Sequence, residues 1–414
     1  MIVSRIFNPF LMLNFIPPPR LLVGIFVLCA MFFSCEKEEA HLAGDELPLN
    51  EGIKYDAIPQ VTLQDLDVSV TEDRLVFADL MEFAKARNAI STSSQPEIDA
   101  WHSGLGFKSM HSAYREWADA LPVDASAMTV DLPAFAYRSG KAEVSYDINS
   151  YSLVNADLAN SSGEFLIGSE LHKVTMNRHI HVPSGDASLI PFNADRAVTD
   201  ASKGIYVKTY DPLEANDPSS TFTKDVDRDL RTCPTERLDR DFSNQLRLES
   251  RDESNGRRMI GGIVLTSVDS KNGDNVNSIT FSAEAYIRNQ KKSGLIWKAD
   301  YVSSTIKDNP SFRLLRRPLG QLSPNTCPGS TPCPDDQFTV FDDGVADFTG
   351  FTKTTSGEYN TIIFDQGIYT SSGLRNQPTG IFSLKDLRYD LLVGRAQMQR
   401  LNPQLDTEIG CSNN

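Results

Sequence analysis

Three long segments with alternating apolar and polar residues constrain the fold of this chain most strongly. They read "RRMIGGIVLTSV" (257–268), "VNSITFSAEAYIRNQ" (276–290) and "GLIWKADYVSSTI" (294–306), and short hairpin-like connections, "DSKNGDN" and "KKS", separate them. Period-two patterning of this length is typical of strands, and short polar connections favour antiparallel neighbours. The sequence therefore predicts sequential antiparallel pairing in a sandwich or curled sheet.

A shorter region before these strands has a helical pattern. "LDVSVTEDRLVF" (66–77) predicts a hairpin, and a helix is expected from Asp79 to Ile90. Ser94 and Glu97 form the pattern of a capping box, which starts an apolar stripe that glycines interrupt and that ends near Leu121. We expect its aromatic side chains to be core rather than a sugar-stacking platform. The predicted fold class is α+β, with a small helical N-terminal part followed by a mainly antiparallel, sandwich-like β body.

Composition and pattern divide the chain into five predicted regions. They are a lipoprotein signal peptide (1–34), an acidic flexible tether (35–58), a hairpin plus helices (59–135), an antiparallel β domain (136–320) and a C-terminal β-rich region with a disulfide turn (321–414).

The N-terminus predicts secretion and a lipid anchor. An apolar run from Leu21 to Phe33 follows Arg20, and its 13 residues are too short to span a bilayer. The sequence Phe32-Phe33-Ser34-Cys35 resembles the lipobox of bacterial lipoproteins, in which the cysteine carries lipid. The alternative is a plain signal peptide cut nearby, which would leave Cys35 free. We expect lipidation at Cys35 and attachment to the membrane through it.

The residues after Cys35 predict where the anchored protein faces. Lys37, Glu38 and Glu39 resemble the export signal of Bacteroidota lipoproteins that are carried to the cell surface. The alternative is the start of a solvated tether, which needs charge in any case. We expect a protein lipid-anchored in the cell outer membrane and facing outside.

The net charge limits the classes of molecule that this protein is expected to bind. The chain has 40 basic and 55 acidic residues; removal of residues 1–34 takes away Arg5 and Arg20, so the mature charge is 38 − 55 = −17. Such a balance argues against nucleic acid, whose phosphates require basic patches. A glycan or a protein is the expected ligand class.

Cysteine positions predict disulfides. After signal cleavage and lipidation the chain retains Cys233, Cys327, Cys333 and Cys411, which allow three pairings. The turn "TCPGSTPCP" brings Cys327 near Cys333, and Cys233 with Cys411 follows by elimination. A zinc site is the alternative, although paired CxxC spacing is absent from the sequence; free buried thiols are another.

One histidine-rich stretch could bind a metal. "RHIHV" places His179 and His181 on one side of a strand, His172 could join from a paired strand, and Glu170 could act as a base. The alternative is an ordinary solvent-facing strand. The sequence has no Gly-x-Ser-x-Gly elbow, P-loop or dinucleotide fingerprint, and no cofactor is predicted.

Several blocks resemble a known group of proteins. "DRLVFADLMEFAKA", "GFKSMHSAYREWA", "FLIGSELHKVT" and "KKSGLIWKA" are similar to segments of uncharacterised Bacteroidota surface lipoproteins, over residues 65–305. Ser169 and His172 stand where that pattern has Asp and Tyr. The resemblance implies location and architecture, and the group offers no established activity. Together these observations predict a lipid-anchored outer-surface protein of binding or structural type; the alternative is a secreted metal-dependent hydrolase that uses the His172–His181 region.

Overall fold

The computed structural model describes eleven stretches of the chain, and most of their residues lie in strands. The described stretches are 53–121, 131–139, 144–210, 246–272, 275–293, 296–308, 312–322, 339–340, 345–348, 352–371 and 382–411. The predictions for Cys35, for residues 37–39 and for Cys233, Cys327 and Cys333 lie outside them.

The helices lie mostly before residue 121, and the strands run through the whole described chain. The helices are α1 (Leu80–Thr92), α2 (Gln95–Leu105), α3 (Met110–Ala120) and α4 (Leu153–Leu158). Short 3-10 helices occupy Leu63–Asp65, Ala187–Leu189, Ala194–Arg196 and Ala201–Lys203. The strands up to residue 210 are β1 (Ile53–Ala57), β2 (Val68–Thr71), β3 (Arg74–Phe77), β4 (Ala136–Ser139), β5 (Val144–Ile148), β6 (Glu164–Ile167), β7 (Glu170–Val174), β8 (Arg178–Val182) and β9 (Tyr206–Thr209). The later strands are β10 (Leu246–Ser254), β11 (Arg257–Asn272), β12 (Asn275–Ser293), β13 (Ile296–Ala299), β14 (Val302–Asp308), β15 (Phe312–Leu322), β16 (Thr339–Val340), β17 (Val345–Phe348), β18 (Thr352–Gly357), β19 (Tyr359–Ser371), β20 (Phe382–Leu401) and β21 (Gln404–Cys411).

These strands form two sheets. The smaller sheet has the order β2-β3-β6-β7-β8-β9, and its pairs are antiparallel except for β3 with β6. In the larger sheet, β11, β12 and β13 pair sequentially and antiparallel, as the sequence predicts, and β10, which was not predicted, pairs antiparallel with β11. The β-rich body is therefore confirmed, whereas its sandwich-like packing stays a prediction.

The long strand β12 explains why the period-two pattern is so clear. One face carries apolar side chains such as Ile279 and Phe281, and both are fully buried. The opposite face carries small or polar residues such as Ser282 and Glu284, and these are also fully buried. A strand covered on both sides keeps its alternation only when the second face meets polar partners, because an unpaired buried polar group is unfavourable.

Helix α1 and its neighbours begin and end where the sequence predicts. The side chain of Asp79 accepts a hydrogen bond from Glu82 N at 2.9 Å, which caps α1. Ser94 and Glu97 form the predicted capping box at the start of α2. Gly106 ends α2 with a φ of +65°, a left-handed conformation that favours glycine. The aromatic side chains of these helices belong to the core, as expected.

The prediction of a separate helical N-terminal part is not supported. Helices α1 to α3 follow three strands, and their apolar side chains share one core with the strands. Phe83 of α1 stacks on Phe165 of β6 with ring centroids 5.0 Å apart. The helices cannot bury their apolar faces among themselves, and the sheets supply the missing surface.

The predicted strand at 294–306 is in fact two strands. Its halves, β13 and β14, have different partners, since β13 pairs with β12 while β14 pairs with β18 and β20. The break falls at Asp300, a buried carboxylate that accepts a hydrogen bond from Arg400 at 2.5 Å and pairs with Arg257 at 3.1 Å. The two arginines compensate the buried charge of Asp300, and the break between the two strands falls at the residue that makes these contacts.

Strand pairing joins segments that two predicted boundaries, at residues 58 and 320, would separate. The last residues of the predicted tether form β1, which pairs with β19, and the Tyr55 ring lies 5.4 Å from that of Tyr369. Strands from both sides of residue 320 also pair, for example β12 with β19. The described residues after position 51 form one compact unit. Within the described part of the chain, no helix combines the length and apolar character needed to cross a bilayer.

Candidate functional site

Strands β6 to β9 present a row of aromatic side chains across one face of the smaller sheet. Phe165 pairs with His172, His172 with His181, and His181 with Tyr206. Residues directly opposite in neighbouring strands project to the same face. The predicted pairing of His172 with the strand of His179 and His181 is therefore confirmed.

A second row lies beside the first on the same face. His179 stands opposite Val174 and Lys208 in the neighbouring strands. Glu170 lies two positions before His172, so it shares that face as well. We call Glu170, His172, His179 and His181 the histidine cluster.

The histidine cluster is enclosed, which rules out the solvent-facing strand as its explanation. His172 has 0% of its surface exposed, His179 3% and His181 6%. Strand β11 of the larger sheet covers this face: Lys208 Nζ donates to Ser267 Oγ at 2.6 Å. Ser270 Oγ donates to Glu170 Oε1 at 3.0 Å.

The imidazoles contact one another directly. His172 Nδ1 lies 3.0 Å from His179 Nε2, and the His172 and His181 rings stack with centroids 4.4 Å apart. His181 Nε2 donates to Glu170 Oε2 at 2.7 Å. The two hydrogen bonds fix the planes of all three rings.

The hydrogen bonds continue from His179 into helix α4. Tyr151 Oη lies 2.8 Å from His179 Nδ1, and Asn155 Nδ2 donates to the same oxygen at 2.9 Å. The Tyr151 ring stacks on Tyr210 with centroids 3.8 Å apart. Both ring nitrogens of His179 are thus engaged, one with Tyr151 and the other with His172.

Burial sets the protonation of the cluster. It lowers the pKa of His172 and His179 well below the ordinary histidine value, and the nearby charges of His181 and Lys208 act in the same direction. Burial likewise raises the pKa of Tyr151 above its ordinary value. Around neutral pH these three side chains are uncharged, and neutral imidazole is the form that offers a lone pair to a metal.

One polar atom in the cluster has no partner. His172 Nε2 is buried and forms no hydrogen bond with any described residue. His172 lines a cavity of about 20 Å³, together with His179, His181, Tyr206, Lys208, Ser267, Val268 and Asp269. Such a volume holds about one water molecule or one ion.

The structure therefore separates the predicted metal-binding residues into two groups. Ligand atoms of Glu170, His172 and His181 all lie within 4.8 Å of one another. His179 instead supports His172, since His179 Nε2 lies 3.0 Å from His172 Nδ1. Sequence reasoning missed Tyr151, Asn155, Lys208, Asp269 and Ser270, because they come from distant segments and their positions have no fixed spacing from the histidines.

Of the four cysteines predicted to form disulfides, the structure describes Cys411. Cys411 is the last residue of β21, where it stands opposite Gly394 of β20. The other three cysteines lie outside the described residues.

Comparison with known proteins identifies no family for this chain. No family model matches this chain, and the search of curated proteins found no match. A solved DUF4848 family protein from Bacteroides thetaiotaomicron aligns over 83% of this chain and 100% of its own, with 15% identity and a TM-score of 0.24. A similarity at this level supports no conclusion about fold or function, and we draw none from it.

Proposed function

We propose that this chain is a lipid-anchored protein of the cell outer membrane, facing outside, whose body has a binding or structural role. The observation that carries the proposal is the apolar run that ends at Ser34-Cys35 and switches at once to Glu36-Lys37-Glu38-Glu39. A cationic flank, a short apolar run and a cysteine after a small residue are the features of a lipoprotein signal. Two or more acyl chains at Cys35 would give stable anchoring.

The geometry of the histidine cluster favours binding over catalysis. A metal-dependent hydrolase must bring its substrate to the metal-bound water, which requires an open cleft at the ligands. The cavity at His172 has a volume of about 20 Å³ and lies under β11. It can accept an ion or a water molecule but not a glycan or peptide, so we rank the hydrolase second.

The anchor is tested by replacing Cys35. Metabolic labelling with palmitate should mark the parent and the Cys29→Ala variant equally, because Cys29 lies in the signal peptide that is removed. The Cys35→Ala variant should be unlabelled and absent from the outer-membrane fraction. Equal labelling of Cys35→Ala and the parent would refute the anchor.

Surface exposure is tested separately. Replacement of residues 37–39 by Ala should leave palmitate labelling intact but protect the protein from protease added to whole cells. Replacement of Asp45 and Glu46 by Ala, further along the tether, should leave it accessible. If both variants are cleaved as readily as the parent, residues 37–39 act only as tether.

We also propose the disulfide between Cys327 and Cys333. Peptide mapping without reduction should recover the two residues in one linked peptide. Closing so short a loop contributes roughly 2 kcal/mol at most, so reduction should leave the helices folded. Alkylation of both thiols in the native protein would contradict the bond.

A further inference from the structure

We propose that Glu170, His172 and His181 bind one divalent transition-metal ion, with zinc as the best fit, in the cavity beneath β11. The inference goes beyond the proposed lipid anchor, and either can fail without affecting the other. It rests on three observations: convergent ligand atoms, an unpaired nitrogen of a histidine that lines the cavity, and a supporting set of hydrogen bonds behind the ligands.

The ligand atoms need only small movements to reach an ion. They lie within 4.8 Å of one another, and His181 Nε2 is 2.7 Å from Glu170 Oε2. Tetrahedral zinc with bonds of about 2.0–2.1 Å separates its ligands by about 3.3 Å. The ion would replace the proton that His181 donates to Glu170; His181 would bind as the neutral tautomer with its proton on Nδ1, and the two side chains would move apart by well under 1 Å.

The unpaired His172 Nε2 indicates that the cavity is built for a cation. Its partner nitrogen, Nδ1, is engaged with His179 Nε2 at 3.0 Å. When Nδ1 carries the proton, Nε2 carries a lone pair that has no donor among the described residues. A buried acceptor without a donor is unfavourable, and a metal ion removes that penalty directly.

The hydrogen bonds behind His172 are those expected of a metal ligand. A ligating histidine usually donates its other ring N–H to an acceptor, which fixes its tautomer and orientation. Here His179 accepts that proton, and Tyr151 in turn holds His179 at 2.8 Å. Ser270 holds the second oxygen of Glu170 at 3.0 Å. His179 is thus a positioning residue that acts through His172.

Charge and donor type select the ion. Lys208 Nζ lies 2.5 Å from Asp269 Oδ1, so these two charges compensate each other, and Glu170 is the carboxylate among the proposed ligands. Two imidazoles and one carboxylate suit zinc or copper, whereas magnesium and calcium prefer oxygen ligands throughout. The cavity has room for about one further ligand, a water molecule.

The test is a zinc titration of the full-length protein, stripped of metal and purified in detergent. Competition with a chromogenic chelator should give one tight site per chain. Replacing a ligand, in Glu170→Gln or His172→Ala, should weaken zinc binding by more than about 100-fold, since loss of a supporting residue alone costs about 10–100-fold. His179→Gln should fall in that smaller range with the stoichiometry unchanged.

Matched controls lie outside the cluster. His102→Gln removes another buried histidine, and Glu116→Gln removes an exposed carboxylate; both should bind zinc like the parent. Zinc should also raise the melting temperature of the parent and of the controls but not of Glu170→Gln. Glu170→Gln changes few atoms, so it decides the question if His172→Ala does not fold.

Two results would overturn the proposal. One is a parent protein that retains no zinc after desalting. The other is a Glu170→Gln variant that binds zinc as tightly as the parent, which would place the ion elsewhere, for example at the cysteines.

Discussion

Two buried polar clusters in this protein each contain a glutamate, but their other side chains differ: one has an arginine and two hydroxyls, and the other has three histidines that line a cavity. The first, which we call the Glu284 cluster, consists of Glu284, Arg87, Ser152 and Thr361. Glu284 accepts hydrogen bonds from Ser152 Oγ at 2.6 Å, Leu153 N at 3.2 Å and Thr361 Oγ1 at 2.9 Å. Arg87 lies 3.7 Å from the same carboxylate.

The histidine cluster is similarly buried, but its three histidines line a cavity of about 20 Å³. Both oxygens of Glu284 have donors, whereas His172 Nε2 has no hydrogen-bond partner among the described residues. The carboxylate of Glu284 joins α4, β12 and β19 through these hydrogen bonds, while Arg87 Nε and Nη2 have no hydrogen-bond partner among the described residues. In the histidine cluster the ligand atoms converge and the three histidines line a cavity, so we interpret it as a binding site and the Glu284 cluster as a structural one.

The largest effect should come from breaking the Glu284 cluster. In the Glu284→Ala variant, Arg87 stays buried but loses the carboxylate of its cluster. Removing one partner of a buried ion pair typically costs about 3–5 kcal/mol. The free energy of unfolding, measured with urea, should fall by that amount. Glu116→Ala, which removes an exposed pair with Lys108, should change it by less than about 1 kcal/mol. Similar values for the two variants would mean that the Glu284 cluster does not stabilise the fold.

A smaller loss is expected at the link between His179 and helix α4. Tyr151→Phe removes the hydroxyl that contacts His179 Nδ1 and accepts from Asn155 Nδ2, so two buried groups lose a partner. The expected loss is about 1–3 kcal/mol in the metal-free protein.

The matched control for this variant is Tyr301→Phe, because Tyr301 is 51% exposed. It should shift the free energy of unfolding by no more than about 0.5 kcal/mol. If the Tyr151→Phe variant is as stable as this control, the hydrogen bonds behind His172 contribute little to the free energy of unfolding.

The hairpin of the histidine cluster was predictable, and its enclosure was not. The i, i+2 spacing of His179 and His181 and the nearby strand of His172 are local signals, and both predicted features are present. The covering strand is a long-range feature: Ser270 bonds Glu170 across 100 positions of sequence. No periodicity in either segment specifies that contact. The break at Asp300 was missed for the same reason, because Arg400 lies 100 positions away.

The smallest effect, opposite in sign, concerns a buried carboxylate that forms no ion pair within the part of the chain that the structure describes. Glu358 is 3% exposed, and burial raises its pKa well above the ordinary 4.5, with nearby Asp147 adding to the shift. The folded state therefore keeps a proton that the unfolded state releases, so stability is full below pH 4.5 and decreases as the pH rises toward the folded pKa. Glu358→Gln, which resembles the protonated acid, should raise stability at pH 7 by about 0.5–2 kcal/mol.

The pH dependence distinguishes this explanation from a simple change of packing. The gain of Glu358→Gln over the parent should shrink as the pH is lowered from 7 toward 4.5, when both proteins carry a neutral side chain. Glu116→Gln should show no such trend. A gain that is constant with pH would contradict the raised pKa.

Anomalous diffraction from a zinc-soaked crystal tests most directly whether the histidine cluster is a binding site and the Glu284 cluster is not. Data collected on both sides of the zinc absorption edge should show one strong peak about 2.0–2.2 Å from His172 Nε2, His181 and Glu170, with no peak at Glu284. A cavity that holds only water at His172, with zinc bound elsewhere or absent, would contradict the account.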